Sequence, residues 1–104
     1  MNKEMLKGTI DLLILAVLTN QDSYGYQVSK TIHERSKTNF EIQEATLYLA
    51  LKRLEKKKAI ESYWGTETQG GKRKYYHITN EGKSQLGELT QDFSILVDVV
   101  EKFI

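Results

Sequence analysis

The first segment of the chain, Glu4 to Thr19, has no polar side once it is wound as a helix. Met5, Leu6, Ile10, Leu12, Leu13, Ile14, Leu15, Ala16, Val17 and Leu18 cover its circumference. A helix that is apolar all round is buried all round, and a small domain has little material with which to enclose one. Two readings follow: a plain central core helix, or a helix that shares part of its surface with another chain. Asn20-Gln21-Asp22-Ser23 interrupts the pattern. Val28 and Ile32 then predict a shorter helix from Ser23, as N-cap, to about Arg35, with Tyr24-Gly25-Tyr26 in its first turn. Ser36 to Asn39 forms a connection ahead of Phe40 and Ile42. In the third segment, roughly Glu44 to Lys58, Leu47, Leu51 and Leu54 make a buried stripe of helical spacing. Thr46, Tyr48, Lys52, Arg53, Lys56 and Lys57 occupy the rest of that circumference.

After Ala59 the period shortens to that of strands. Ile60-Glu61-Ser62-Tyr63-Trp64 and Arg73 to Thr79 predict a two-stranded hairpin closed by a loop containing Gln69-Gly70-Gly71. An isolated hairpin is marginal in water, so Trp64, Tyr76 and Ile78 are expected to dock on the helices. A last helix starts at Thr79 or Asn80 as N-cap, with Glu81 favourable at its positive end. Leu86, Leu89, Phe93, Leu96, Val100 and Phe103 repeat as a heptad seam, widened by Ile95, Val97, Val99 and Ile104. Such a seam either pairs with another chain or folds back over its own domain.

These elements describe a mainly α fold with a small β-hairpin. The expected architecture is a winged helix-turn-helix over residues 1–79 and a C-terminal dimerisation helix over residues 80–104, forming one structural unit. A length of 104 residues suits one domain. The absence of cysteine excludes disulfides, thiolate metal sites and thiol nucleophiles. It also favours an intracellular, cytoplasmic protein, since small secreted domains lean on disulfides. The longest apolar run, Leu12 to Leu18, falls short of a membrane span, and the start lacks a cleavable signal pattern, so no membrane partner is expected.

A formal net charge of +1 conceals a strong division. From Lys52 to Lys74, eight bases face three acids, a local net of +5, whereas from Glu81 onward five acids face two bases. The basic block coincides with the third helix and the hairpin tip, the two elements with which a winged helix meets DNA. Lys52, Arg53 and Tyr48 are placed to meet phosphates, and Thr46 or Gln43, near the helix start, to reach base edges. Lys72, Arg73 and Lys74 flank the wing tip. A structural explanation covers part of the cluster: Lys56, Lys57 and Lys58 complement the helix dipole as a solvated helix end. His33 and His77 have no metal-ligand spacing, and Gly70-Gly71 lacks the surroundings of a phosphate loop. No enzyme, metal or cofactor is expected. The alternative from another class is a winged-helix adaptor that joins a protein partner through its apolar seam.

Ala45-Thr-Leu-Tyr48, Leu51-Lys-Arg-Leu-Glu55, Glu61-Ser-Tyr-Trp-Gly65, Gly70-Gly-Lys-Arg-Lys-Tyr-Tyr76 and Glu81-Gly82 occur in one order, preceded by Leu12-Leu-Ile-Leu15 and Tyr24-Gly-Tyr26. This series resembles the PadR family of bacterial transcriptional regulators over nearly the whole chain. The resemblance implies a homodimeric repressor that binds a palindromic operator in double-stranded DNA. The short form is similar to the smaller PadR-like subgroup that includes a lactococcal multidrug-responsive repressor. That similarity implies a dimer interface of Met5, Leu6, Leu89, Phe93, Leu96, Val100 and Phe103. It also implies an apolar or aromatic effector between subunits, near Leu12, Leu15, Leu86, Leu89 and Phe93. Phe93 stands where the multidrug repressor has a ligand-stacking tryptophan, and Val97 where it has an acid.

Overall fold

The computed structural model describes residues 8–67 and 70–104. Helix α1 spans Thr9–Asn20, strand β1 Ser23–Tyr24, α2 Gly25–Arg35, α3 Glu44–Lys56, β2 Ile60–Trp64, β3 Lys74–Ile78 and α4 Asn80–Glu101. Helix α1 packs against α2, α3, β3 and α4. Its largely apolar sequence does not produce uniform burial. Ile10, Ile14, Leu15, Val17 and Leu18 enter the core, while Leu12, Leu13 and Ala16 are half-buried on the side towards α4. Met5, Leu6 and Gln69 lie outside the described residues.

The second helix begins later than its sequence suggests. Ser23 and Tyr24 are extended and pair with Tyr76 and Tyr75 of β3, so Tyr24 rather than Ser23 is the N-cap of α2. The expected two-stranded hairpin is thereby a three-stranded antiparallel sheet of order β1-β3-β2. Two residues are too few to show the alternation by which strands are recognised. In the β2–β3 pair, Ile60 faces Ile78 and Trp64 faces Lys74. Cover by the helices fades along it: Ile60, Tyr76 and Ile78 are buried, but Trp64 is 64% exposed. Trp64 therefore does not dock as its aromatic character suggests; the distal end of the hairpin runs past the helical layer.

Helix α3 stops at Lys56, two residues short of the expected end. Lys58 adopts φ 64°, and the amides of Lys58 and Ala59 donate back to the carbonyls of Glu55 and Leu54. This closing motif usually holds glycine, because a left-handed conformation crowds a Cβ. The same corner anchors α4. Thr79 Oγ1 donates to the Lys58 and Ala59 carbonyls and accepts from the Gly82 amide, capping α4 as its sequence indicates. Gly82 lies flat on the Ala59 carbonyl, where a Cβ would overlap the backbone oxygen.

Two substitutions at this corner have opposite expected signs. Gly82→Ala destabilises the protein by about 1–3 kcal/mol through overpacking against a backbone atom. Lys58→Gly stabilises it by about 0.5–1 kcal/mol by relieving the left-handed lysine. Urea denaturation of both variants beside the wild type measures the two shifts; a neutral Gly82→Ala contradicts the packing described.

Candidate nucleic-acid interface

The buried side of α3 consists of Leu47, Ala50, Leu51 and Leu54. Helical spacing then places Ala45, Leu49, Lys52 and Lys56 along the ridge opposite, all exposed. Gln43 is the N-cap by backbone geometry, yet its side chain makes no capping bond and stays exposed beside Thr46. Both are accessible at the helix start, the part of a recognition helix that approaches base edges. Tyr48 is partly tied back: its ring lies on Gly25, whose Cβ, if present, would stand 2.7 Å from the hydroxyl. The glycine of Tyr24-Gly25-Tyr26 thus permits the close approach of α2 to α3.

Arg53 is not the free phosphate contact its sequence position suggests. Its Nη2 donates to Asp11 Oδ1 on α1, forming an ion pair with side-chain exposures of 48% and 10%. Asp11 is a carboxylate inside the domain, and a carboxylate there requires a partner. Arg53 consequently acts first as a strut between α1 and α3, with the rest of its guanidinium facing out. Asp11 escapes a reading by hydrophobic pattern because its partner lies 42 residues away.

The three bases of the wing also divide. Lys72 is exposed at the tip and makes no ion pair among the described residues, as is true of Lys52 on α3. The Arg73 guanidinium sits over the Tyr24 ring at 4.7 Å from its centroid. Lys74 lies 3.8 Å from Glu55 Oε1 of α3 and 5.7 Å from the Tyr76 ring centroid. Lys74 is thus turned back towards the domain as part of β3, while Lys72 stays exposed.

A polar and aromatic cluster fixes the wing to the end of α1. Asp22 accepts from the Tyr63 hydroxyl at 2.7 Å, and its other oxygen meets His77 Nδ1 at 2.8 Å. Tyr75 stacks on Tyr63 at 5.7 Å and meets Tyr24 edge-on at 5.5 Å. The Tyr75 hydroxyl donates to Glu67, which holds that carboxyl below its usual range. Partial burial alone would raise Asp22, but the bonds from Tyr63 and His77 and the histidine's charge outweigh it and leave the carboxyl lowered. Tyr63, bonded to that carboxylate, is pushed up to about 12. His77 is bonded to Asp22, and among the described residues no three His, Cys, Asp or Glu side chains gather as a metal site. No described helix is long and apolar enough to cross a membrane.

On the opposite side of α1, an open groove of about 810 Å³ runs between α1 and α4. Leu12, Leu13, Ala16, Leu89, Phe93 and Leu96 line it, with Arg35, Ser36 and Phe40 at its α2 side. Two residues expected beside an effector fall elsewhere. Leu15 has no exposed surface and belongs to the domain's own core, and Leu86 packs against that core without lining the groove. The cause is the all-apolar α1 sequence, in which core-facing and groove-facing leucines look alike. Phe93, Leu96, Val97 and Val100 are exposed on α4, and Phe103 follows its end, where the Phe103 amide closes on the Val100 carbonyl.

Removing either end of the strut tests its weight. Arg53→Ala leaves Asp11 buried and unpaired and costs about 1–3 kcal/mol, between the values typical of exposed and buried ion pairs. The Asp11→Ala, Arg53→Ala double variant is expected to lose less than the sum of the singles in a chemical-denaturation cycle. Strict additivity would deny the pair any role. For the wing, a carboxyl lowered by folding stabilises the folded state above the ordinary Asp range, and that stabilisation is lost as pH falls through the lowered value. Asp22→Asn is therefore expected to be less stable at neutral pH and to lose less stability on acidification below about pH 4. Thermal melts of both proteins across that range check the slope.

Comparison with known proteins converges on one family. The Transcriptional regulator PadR-like family model matches residues 14–88, which include α2, α3, the sheet and the first part of α4. An uncharacterized protein X of Lysinibacillus sphaericus is 42% identical over 101 residues, 97% of this chain and 93% of that protein. The structure of a transcriptional regulator from Clostridium thermocellum superposes with a TM-score of 0.91 at 38% identity, covering 98% of this chain and 99% of that one. A PadR family transcription regulator from Clostridium difficile superposes with a TM-score of 0.80 at 43% identity, covering 90% and 96%. The expected winged-helix fold with its C-terminal helix is present, and the family is one of regulators rather than enzymes. With the family model over residues 14–88 and a PadR family structure 43% identical over 90% of the chain, the chain belongs to the PadR-like family of transcriptional regulators.

Proposed function

We propose that this protein is a homodimeric repressor that binds a palindromic operator through α3 and the wing tip. The observation that carries the reading is the pairing of two surfaces. One is a ridge of α3 with accessible Gln43, Thr46 and Lys52, continued by Lys72 on the wing. The other is the apolar outer half of α4, where, among the described residues, Phe93, Leu96 and Val100 stay about half exposed. Burying the second surface against its copy would hold two copies of the first at a fixed separation, and a two-fold axis between them calls for a palindromic site. Met5 and Leu6 are assigned to the same interface from the sequence resemblance.

The groove between α1 and α4 is the proposed effector site, with Leu12, Leu89 and Phe93 contacting an apolar or aromatic ligand. Phe93 offers an aromatic face without an indole donor, and among the described residues no acid lines this groove to attract a cation. Release from DNA requires the ligand to bind a different subunit geometry more tightly than the DNA-bound one. Helix α1 touches the groove on one side and holds Arg53 of α3 through Asp11 on the other. It is the element through which a change at the groove would reach the recognition helix.

Sedimentation of Leu96→Asp, Val100→Asp tests the interface: the variant is expected to be monomeric and to bind operator DNA about a hundredfold more weakly, the loss that follows from giving up a linked second site. Lys52→Ala and Lys72→Ala are expected to weaken binding to all sequences, each lowering the slope of log K against log salt by about 0.9. Unchanged slopes in both would remove the two lysines from the interface. A wild-type protein with no sequence preference would favour the adaptor reading instead.

A further inference from the structure

Leu49 is 66% exposed at the crown of α3. It is not a core residue left partly uncovered, because it projects from the side opposite Leu47, Leu51 and Leu54 and stays exposed among the described residues. Along that ridge Ala45 precedes it by four residues, and Lys52 and Lys56 follow at three and seven. The flanking candidates are displaced from the crown: the Tyr48 ring lies on Gly25, and Arg53 is held by Asp11. The most advanced position on the helix is therefore an aliphatic side chain with a small residue before it and two cations beyond it.

We infer that Leu49 reads a thymine methyl group in the major groove. The inference rests on the DNA-binding reading above and adds to it the chemistry of one contacted base. A leucine can neither donate nor accept a hydrogen bond, so base edges bearing only N–H, N7 or carbonyl groups would be desolvated against it without return. The C5 methyl of thymine is the apolar group that the major groove displays. The neighbouring lysines bring the phosphate backbone close, and Ala45 leaves room for the approach of the helix. Leu49 is thus a specificity determinant, its preference being for A·T with the thymine methyl turned towards α3. The polar residues at the helix start read the adjoining bases.

The test uses the full-length protein and a duplex that it has itself enriched from a randomised pool. Each thymine is replaced singly by deoxyuridine, which removes the methyl group and leaves the pairing edge intact. The wild type is expected to lose about fourfold in affinity at one thymine in each half-site, the factor associated with desolvating one methyl-sized group. Leu49→Ala is expected to bind the parent duplex about fourfold more weakly and to lose nothing further on that same replacement. Its thermal unfolding should match the wild type, because the side chain is not part of the core. Enrichment of a sequence by a wild type that tolerates every replacement overturns the assignment of Leu49 alone. A Leu49→Ala variant as sensitive to the missing methyl as the wild type overturns it equally. Failure to enrich any sequence contradicts sequence-specific binding itself, and this inference with it.

Discussion

Everything in this fold is referred to α1. The helix is apolar on nearly every side, with Asp11 the charged exception, and the remaining elements are arranged around it. Its inner side carries Ile14, Leu15 and Leu18 into the common core and, through Asp11, grips Arg53 of α3. Its outer side carries Leu12, Leu13 and Ala16 to the groove shared with α4. The described residues close the inner side and cover the outer side only in part. That imbalance gives the molecule one finished side, bearing α3, and one unfinished side, bearing the exposed apolar half of α4.

The finished side illustrates how a small domain frees one helix for recognition. Leu47, Leu51 and Leu54 consume one stripe of α3 and so determine the residues left facing outwards. The flanks are then committed: Tyr48 to the close approach of α2 at Gly25, Arg53 to Asp11, and Glu55 to Ser62 and Lys74 of the sheet. What remains is a narrow ridge. Rigidity of this kind matters for reading bases, since a groove contact displaced by an ångström loses its partner. The wing is held by the Asp22 bonds to Tyr63 and His77 together with the burial of Ile60, Tyr76 and Ile78 in the core.

The helices, their stripes, the Thr79 cap and the hairpin arms are legible in the sequence, because each follows from local spacing or from a side chain and a nearby amide. Less legible are features made by residues far apart in the chain. Strand β1 is two residues long and owes its existence to β3. Arg53 looks like any surface base until Asp11 is brought to it, and His77 looks like a lone surface histidine until Asp22 meets it. Trp64 misleads in the other direction: its composition predicts a core residue, but the strand carries it beyond the helices that would cover it. Leu15 was indistinguishable from Leu12 by pattern, and only packing separates the core leucine from the groove leucine. Leu49 is not among the outward residues expected of α3, because an aliphatic side chain carries no charge or hydrogen-bonding signal, although its place opposite the leucine stripe follows from the spacing.

The central claim is that the ridge of α3 and the wing tip, not the apolar half of α4, form the surface that DNA meets. Amide chemical-shift mapping of the isotopically labelled protein, titrated with a duplex that it has enriched, addresses this directly. The account predicts that the largest changes fall on residues 43–53 and around Lys72, with the outer half of α4 little altered. Changes concentrated on Phe93 to Val100, with α3 and the wing unaffected, would contradict it.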